Sequence, residues 1–213
     1  MIRVLCYGDS NTHGRMPMRH AHDVGRHPPA DRWPGVAQAI LGKEFDLIEE
    51  GLPGRTTVHD DPFEGSHKNG LSYLRPCLDS HWPLDVVVVM LGTNDLKSRF
   101  GLMPNDIALG VDVLLNTING VTNQVGMSPK LIVVASVPIM EVGWLGPLMF
   151  EGGASKSKGL AMAMKSVADQ HGALFFDAGS VARVSSIDGV HLDTDDQRVI
   201  GRSLAKIIKK SVS

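Results

Sequence analysis

Two cysteines in 213 residues, Cys6 and Cys77, cannot supply a disulfide scaffold. Cys6 lies in an apolar strand-like run and reads as a buried thiol. Nor does the chain carry an excess of one charge. A formal net charge of −2 with mixed signs gives no electrostatic case for nucleic acid or for an anionic membrane. Long hydrophobic runs are missing too. Nothing approaches the ~20 consecutive apolar residues of a membrane span. The apolar run Val4 to Tyr7 is far too short for a secretory leader, so a cytoplasmic protein is expected. No internal repeat, low-complexity tract or linker divides the chain. Residues 1–213 are therefore expected to form one domain, long enough to bury a full core.

What is present is a regular alternation. The runs "IRVLCY" (2–7), "FDLIEE" (45–50), "DVVVVML" (85–91), "KLIVVAS" (130–136) and "ALFFD" (173–177) read as strands. The unbroken apolar stretch Val86 to Leu91 fits a strand buried on both faces of a parallel sheet. Helices are predicted over 33–41, 104–121, 155–172 and 193–210. Pro34 and Pro104 suit first helical turns, and Gly42 and Gly120 suit helix ends. Gly201 inside the last helix costs ~1 kcal/mol relative to alanine. Strands alternating with helices imply parallel pairing through right-handed crossovers. The expected fold is a three-layer α/β/α sandwich around a parallel five-stranded sheet. Segments 15–32 and 55–69 exceed ordinary loop lengths, and such loops in compact domains are usually functional or disordered.

Ligands of open parallel sheets bind beyond the carboxyl ends of the strands. Polar clusters follow the strands here: Gly8-Asp9-Ser10-Asn11, then Pro53-Gly54, then Gly92-Thr93-Asn94-Asp95, and finally Asp188 to His191 before the last helix. Each residue type is common in turns, which is the plain alternative for any one cluster. Together, at one sheet edge, they supply the parts of acyl transfer. A serine hydroxyl needs a base to take its proton, and a histidine suits that task. The histidine needs a carboxylate on its other ring nitrogen, and Asp188 lies three residues before His191. An oxyanion needs donors. The Ser10 N–H, the Gly54 N–H in a type II turn and the Asn94 side-chain amide are the candidates.

With those residues assembled, the chain resembles the SGNH (GDSL-type) hydrolase family. The resemblance rests on Ser10 in "GDSNT", Gly54 in "GLPGRT", Asn94 in "GTND", and Asp188 with His191 in "DGVH", in the family's order. It implies a flavodoxin-like sandwich and a serine esterase mechanism with no metal or organic cofactor. "CYGDSNTHG", "EEGLPGRTT", "MLGTNDLK", "FEGG" and "FFDAGS" resemble its arylesterase and acyltransferase branch. That branch implies small acyl esters as substrates, acyl transfer to alcohols beside hydrolysis, and homo-oligomers. Asn11 departs from the family pattern, standing where "GDSL" has leucine.

Other residues complete the expectations. His13 is close enough to Ser10 in sequence to line a pocket. His20 and His22 could bind a metal as a pair but lack a matched carboxylate or cysteine set, so no metal site is assigned. The stretch "IMEVGWLGPLMF" (139–150) reads as a loop crowded with large apolar side chains. Trp144, Leu145 and Phe150 are expected to wall the acyl pocket, with the same segment making subunit contacts. The contrasting reading is a flavodoxin-like module without catalysis, whose glycine-rich turns would cradle a phosphate or a sugar.

Overall fold

Side chains on a strand point alternately to opposite faces, and here both sets are apolar. In the computed structural model, which describes residues 1–212, five strands form one fully parallel sheet in the order β2-β1-β3-β4-β5. They are β1 Ile2–Gly8, β2 Phe45–Gly51, β3 Val86–Met90, β4 Lys130–Ala135 and β5 Leu174–Asp177. β1 pairs with β2 through Val4 opposite Leu47, and with β3 through Val4 opposite Val86. Val4, Cys6, Val86 and Val88 enter the core on one side of the sheet, whereas Leu5, Tyr7, Val87 and Val89 enter the core on the other.

Seven α-helices follow in chain order: α1 Ser10–His13, α2 Trp33–Leu41, α3 Gly70–His81, α4 Pro104–Gln124, α5 Leu145–Met149, α6 Gly153–Gln170 and α7 Thr194–Ser211. α2 and α7 cover the first face through Trp33, Ala37, Ile200 and Leu204. α3, α4 and α6 cover the second through Leu74, Leu78, Ile107, Leu114 and Met164. The two sets fall on opposite sides because right-handed crossovers run outward from β1 in one direction to β2 and in the other to β3. The expected three-layer sandwich is the observed one. At the carboxyl ends of β1 and β3 the strand order reverses, and such a switch point leaves a crevice.

Three elements differ from the sequence reading: α1 is a single helical turn where only a polar cluster was expected, and α3 and α5 are further helices. α3 has no predicted counterpart, because Pro76 interrupts a segment with few apolar residues. Asn69 nevertheless caps it, its side-chain oxygen accepting the N–H groups of Leu71 and Ser72. Segment 139–150 is not all loop, since its last part forms α5.

Gly201, a weak helix former, sits where α7 crosses α2. A Cβ built there would lie 2.7 Å from the Trp33 carbonyl oxygen and 2.7 Å from Val36 Cβ. The close crossing offsets the lost helix propensity. Gly201→Ala is therefore expected to destabilise by about 1–3 kcal/mol, the usual cost of overpacking, instead of gaining the ~1 kcal/mol of an open helical site. Urea midpoints of the two proteins check this; a higher midpoint in the variant would contradict it.

Candidate active site

Each polar cluster is set in place by its own local geometry. Asp9 follows β1 and caps α1, its Oδ1 accepting the Asn11 N–H at 2.9 Å. Ser10 is therefore the first residue of a helix, where the backbone N–H has no intrahelical acceptor. Leu52 to Arg55 form a turn closed by Arg55 N–H donating to the Leu52 carbonyl at 3.1 Å. Gly54 takes φ +83° in it, as position three of a type II turn requires, so the N–H of the central Pro53–Gly54 peptide takes no part in the turn's closing bond. Asn94 follows β3 and donates from Nδ2 to the Arg55 carbonyl at 3.1 Å, which fixes its amide against the glycine turn. Its neighbour Asp95 is buried and accepts the Thr57 N–H at 3.0 Å and the Thr57 hydroxyl at 2.5 Å. The segments that follow β2 and β3 are thus tied together.

Asp188 and His191 approach from the loop before α7. The carboxylate accepts four hydrogen bonds. Oδ1 takes the N–H groups of Val190 and His191, both at 2.9 Å. Oδ2 takes the Met18 N–H at 2.7 Å and His191 Nδ1 at 2.6 Å. Burial by itself would raise the Asp188 pKa, but these bonds from His191 and Val190 outweigh it and hold the group below its ordinary value. An ionised Asp188 keeps the proton of His191 on Nδ1. Nε2 then presents its lone pair to Ser10 Oγ, 3.1 Å away. The side chains of residues 181 positions apart meet in hydrogen-bonding geometry.

Ser10, Gly54, Asn94 and His191 line one cavity of about 260 Å³. Its apolar lining includes Trp144, Leu145 and Phe150 together with Met18, Met149 and Val190. Leu145 and Phe150 are also buried core residues, so this segment both folds back on the core and walls the site. Trp144 Nε1 donates to the Met18 carbonyl at 2.9 Å, binding the long 15–32 loop to that wall. Apart from Pro53, the rest of the lining is charged. Lys97, almost wholly buried, pairs with Asp61 at 3.2 Å and with Glu64, and Arg99 pairs with Asp61 at 2.9 Å. Lys68 and Arg15 also border the cavity.

His13 is not part of this lining, contrary to expectation. α1 ends at His13, and the ring turns to the Gly51 backbone among Arg26, Arg15 and Arg32. Burial, followed by these cations, lowers its pKa to about 4. His20 and His22 stand exposed on the 15–32 loop, ring centroids 6.3 Å apart, with His20 3.6 Å from Asp23. Among the described residues, Glu50, Cys77 and His81 form a group with metal-ligand chemistry, away from the cavity lining. Burial pushes the Cys77 thiol up to about 12, and His81 Nε2 already contacts Glu50 at 2.8 Å.

The sequence reading missed Met18, Glu64, Lys68 and Lys97. Their one signal was the unusual length of the two loops that carry most of them. Among the described residues, no helix is long and apolar enough to cross a membrane.

With this geometry in hand, comparisons with known proteins agree on kind. Residues 6–200 match the GDSL-like lipase/acylhydrolase family model. No curated protein shows significant similarity. Among solved structures, the chain is similar to an aryl esterase of M. smegmatis, with 40% identity over 99% of this chain and 100% of that one, and a TM-score of 0.94. A carbohydrate acetylesterase from Sinorhizobium meliloti is 39% identical over 99% of both chains, with a TM-score of 0.93. A lipase/acylhydrolase from Enterococcus faecalis, at 19% identity and a TM-score of 0.71 over 99% of this chain and 96% of that one, shares the fold.

Asp9, directly beneath the serine, generates a test. Burial raises its carboxyl to about 6 from 3.8, against the opposing Asn11 N–H and His191. A raised folded-state pKa means that the folded protein binds more protons than the unfolded chain between those values, so stability falls as pH rises through this window. Asp9→Asn removes that slope while keeping the acceptor for Asn11. Relative to wild type, the variant is expected to gain about 2–3 kcal/mol between pH 4 and pH 7. Urea unfolding at both values measures it, and parallel pH dependence in the two proteins would refute it.

Proposed function

The chain belongs to the GDSL-like lipase/acylhydrolase family and is an SGNH-type serine ester hydrolase, and from this premise we propose that Ser10, His191 and Asp188 are its catalytic triad, acting on small carboxylic esters through an acyl-enzyme. The observation that carries the proposal is the continuous chain from Asp188 Oδ2 to His191 Nδ1 at 2.6 Å and from His191 Nε2 to Ser10 Oγ at 3.1 Å, at the wall of a cavity.

The Ser10 hydroxyl gives its proton to His191 Nε2 as Oγ bonds to the ester carbonyl carbon. Negative charge gathers on the carbonyl oxygen and is met by the N–H groups of Ser10 and Gly54 and by the Asn94 amide. As the intermediate collapses, the C–O bond to the alcohol breaks and His191 returns the proton to the leaving oxygen. Water then repeats the attack on the acyl group, with His191 again as base, and Ser10 is freed. An alcohol in place of water gives acyl transfer. Asp188 stays ionised throughout, orienting the ring and offsetting its positive charge.

Trp144, Leu145 and Phe150 make the acyl wall, and its limited volume favours acetyl and other short acyl groups. The likeness to an aryl esterase and a carbohydrate acetylesterase supports short esters of aryl or sugar alcohols. Both cysteines are free and buried, consistent with a cytoplasmic protein. Exposed Phe63 and Leu148 border one shallow groove beside α5, which supports self-association.

Ser10→Ala is expected to abolish nearly all turnover of 4-nitrophenyl acetate and all labelling by a fluorophosphonate probe, without loss of fold. Near wild-type turnover in this variant would sink the mechanism, and absent labelling of the wild type would favour a non-catalytic binding module. Asn94→Ala should lower kcat by about 10²–10³ with a much smaller change in KM. Trp144→Ala should move kcat/KM toward longer acyl chains; an unchanged chain-length profile would remove Trp144 from the acyl wall.

A further inference from the structure

Lys68 closes the short 3-10 turn Ser66–Lys68, and its backbone is held firmly. Its N–H donates to the Gly65 carbonyl at 3.0 Å, and its carbonyl accepts the Thr56 N–H at 2.9 Å. From that fixed root the half-buried side chain runs along the glycine turn. A Cβ on Gly54 would lie 3.2 Å from Lys68 Cε. The ammonium donates to the Pro53 carbonyl at 2.8 Å. It makes none of the direct ion pairs nearby, in which Lys97 and Arg99 hold Asp61 and Glu64, although both carboxylates act on it through space and Glu64 Oε2 would lie 2.6 Å from the same Gly54 Cβ.

The acceptor matters because the Pro53 carbonyl and the Gly54 N–H are two ends of one peptide unit. A type II turn and a type I turn share their closing hydrogen bond and differ by a flip of this central peptide. Proline at the second position is compatible with both. Glycine at the third accepts either sign of φ, so nothing in Gly54 itself opposes the flip. In the flipped turn the Pro53 oxygen would face the cavity in place of the Gly54 N–H, and a carbonyl oxygen repels an oxyanion. A charged donor on the Pro53 oxygen holds the other orientation. It also draws electron density toward that oxygen and strengthens the N–H at the far end of the same amide.

We propose that Lys68 is a positioning residue of the oxyanion hole, locking and polarising the Pro53–Gly54 peptide so that its N–H faces the developing oxyanion. The inference rests on the reading of Gly54 as an oxyanion donor. Lys68 touches no reacting atom. Its effect must therefore appear where negative charge develops and not in ground-state binding.

The test compares wild type, Lys68→Met and Lys68→Arg with 4-nitrophenyl acetate, alongside inhibition by an alkyl trifluoromethyl ketone, whose hemiketal with Ser10 carries an oxyanion. Lys68→Met is expected to lose about 10- to 100-fold in kcat, less than deletion of a donor outright, with KM within about threefold. The ketone should weaken by a similar factor, and Lys68→Arg, which keeps a charged donor, should restore most of both. Unchanged kcat overturns the proposal. So does a raised KM at constant kcat, which would make Lys68 a substrate-binding residue. A loss of kcat without weaker ketone binding overturns it as well. Should Lys68→Met not fold, Lys68→Gln, with a neutral donor, carries the same test with a smaller expected loss. Loss of turnover in Asn94→Ala without loss in Lys68→Met removes this inference alone, whereas turnover retained in Ser10→Ala removes the reading beneath it.

Discussion

The position of β1, bonded on both sides by parallel strands, governs everything at the active edge. β2 and β3 lie in register on its two flanks, so the chain leaves β1 in one direction and returns past it in the other. The connections cannot cover the gap between the carboxyl ends of β1 and β3, and Ser10 and Asn94 emerge into it. Arg55 braces this arrangement. Its guanidinium lies 4.2 Å above the Tyr7 ring and donates to the Gly8 carbonyl at 2.9 Å, and the residue is buried. The turn holding Gly54 is therefore anchored to the end of the strand that carries the nucleophile.

Asp188 performs the corresponding service for the base. Two of its four hydrogen bonds come from its own turn and one from the imidazole, so backbone and ring orientation are set together. The fourth comes from Met18 and ties the 15–32 loop to the triad. That loop in turn meets Trp144, so the apolar wall, held otherwise by the core around Leu145 and Phe150, is linked to the same carboxylate. A long loop with few apolar residues is held at Met18, whose N–H donates to Asp188 and whose carbonyl accepts from Trp144.

The two halves of the cavity lining differ in character. The apolar half, from the segment around α5, suits an acyl chain. The charged half derives from the 55–69 segment and the residues after β3, where buried Lys97 and Asp61 sit beside a glycine turn that must point one N–H at a developing charge. Lone buried charges are costly, and here they are paired. The ion-pair network keeps the segment behind Gly54 rigid without placing an unpaired anion against the oxyanion.

Much of this was legible in sequence. Alternating β-type and helical runs specified the sandwich, because period and punctuation are local properties of the chain. The residues Ser10, Gly54, Asn94, Asp188 and His191 were legible because sheet topology carries every post-strand segment to one edge. α3 was not legible, since Pro76 and a sparse apolar face argue against a helix and only the core around Leu74 and Leu78 makes one form. Proximity to Ser10 in sequence also misled for His13, whose ring direction depends on α1 ending there and on the Gly51 backbone beside it. The pairing of Lys68 with the Pro53 carbonyl joins two segments through a path that no local pattern encodes. The sequence by itself determined which chemical groups were available and at which edge they would gather. Their distances, partners and orientation were decided only by tertiary structure, because hydrogen bonds between segments far apart in the chain depend on packing that brings their backbones together.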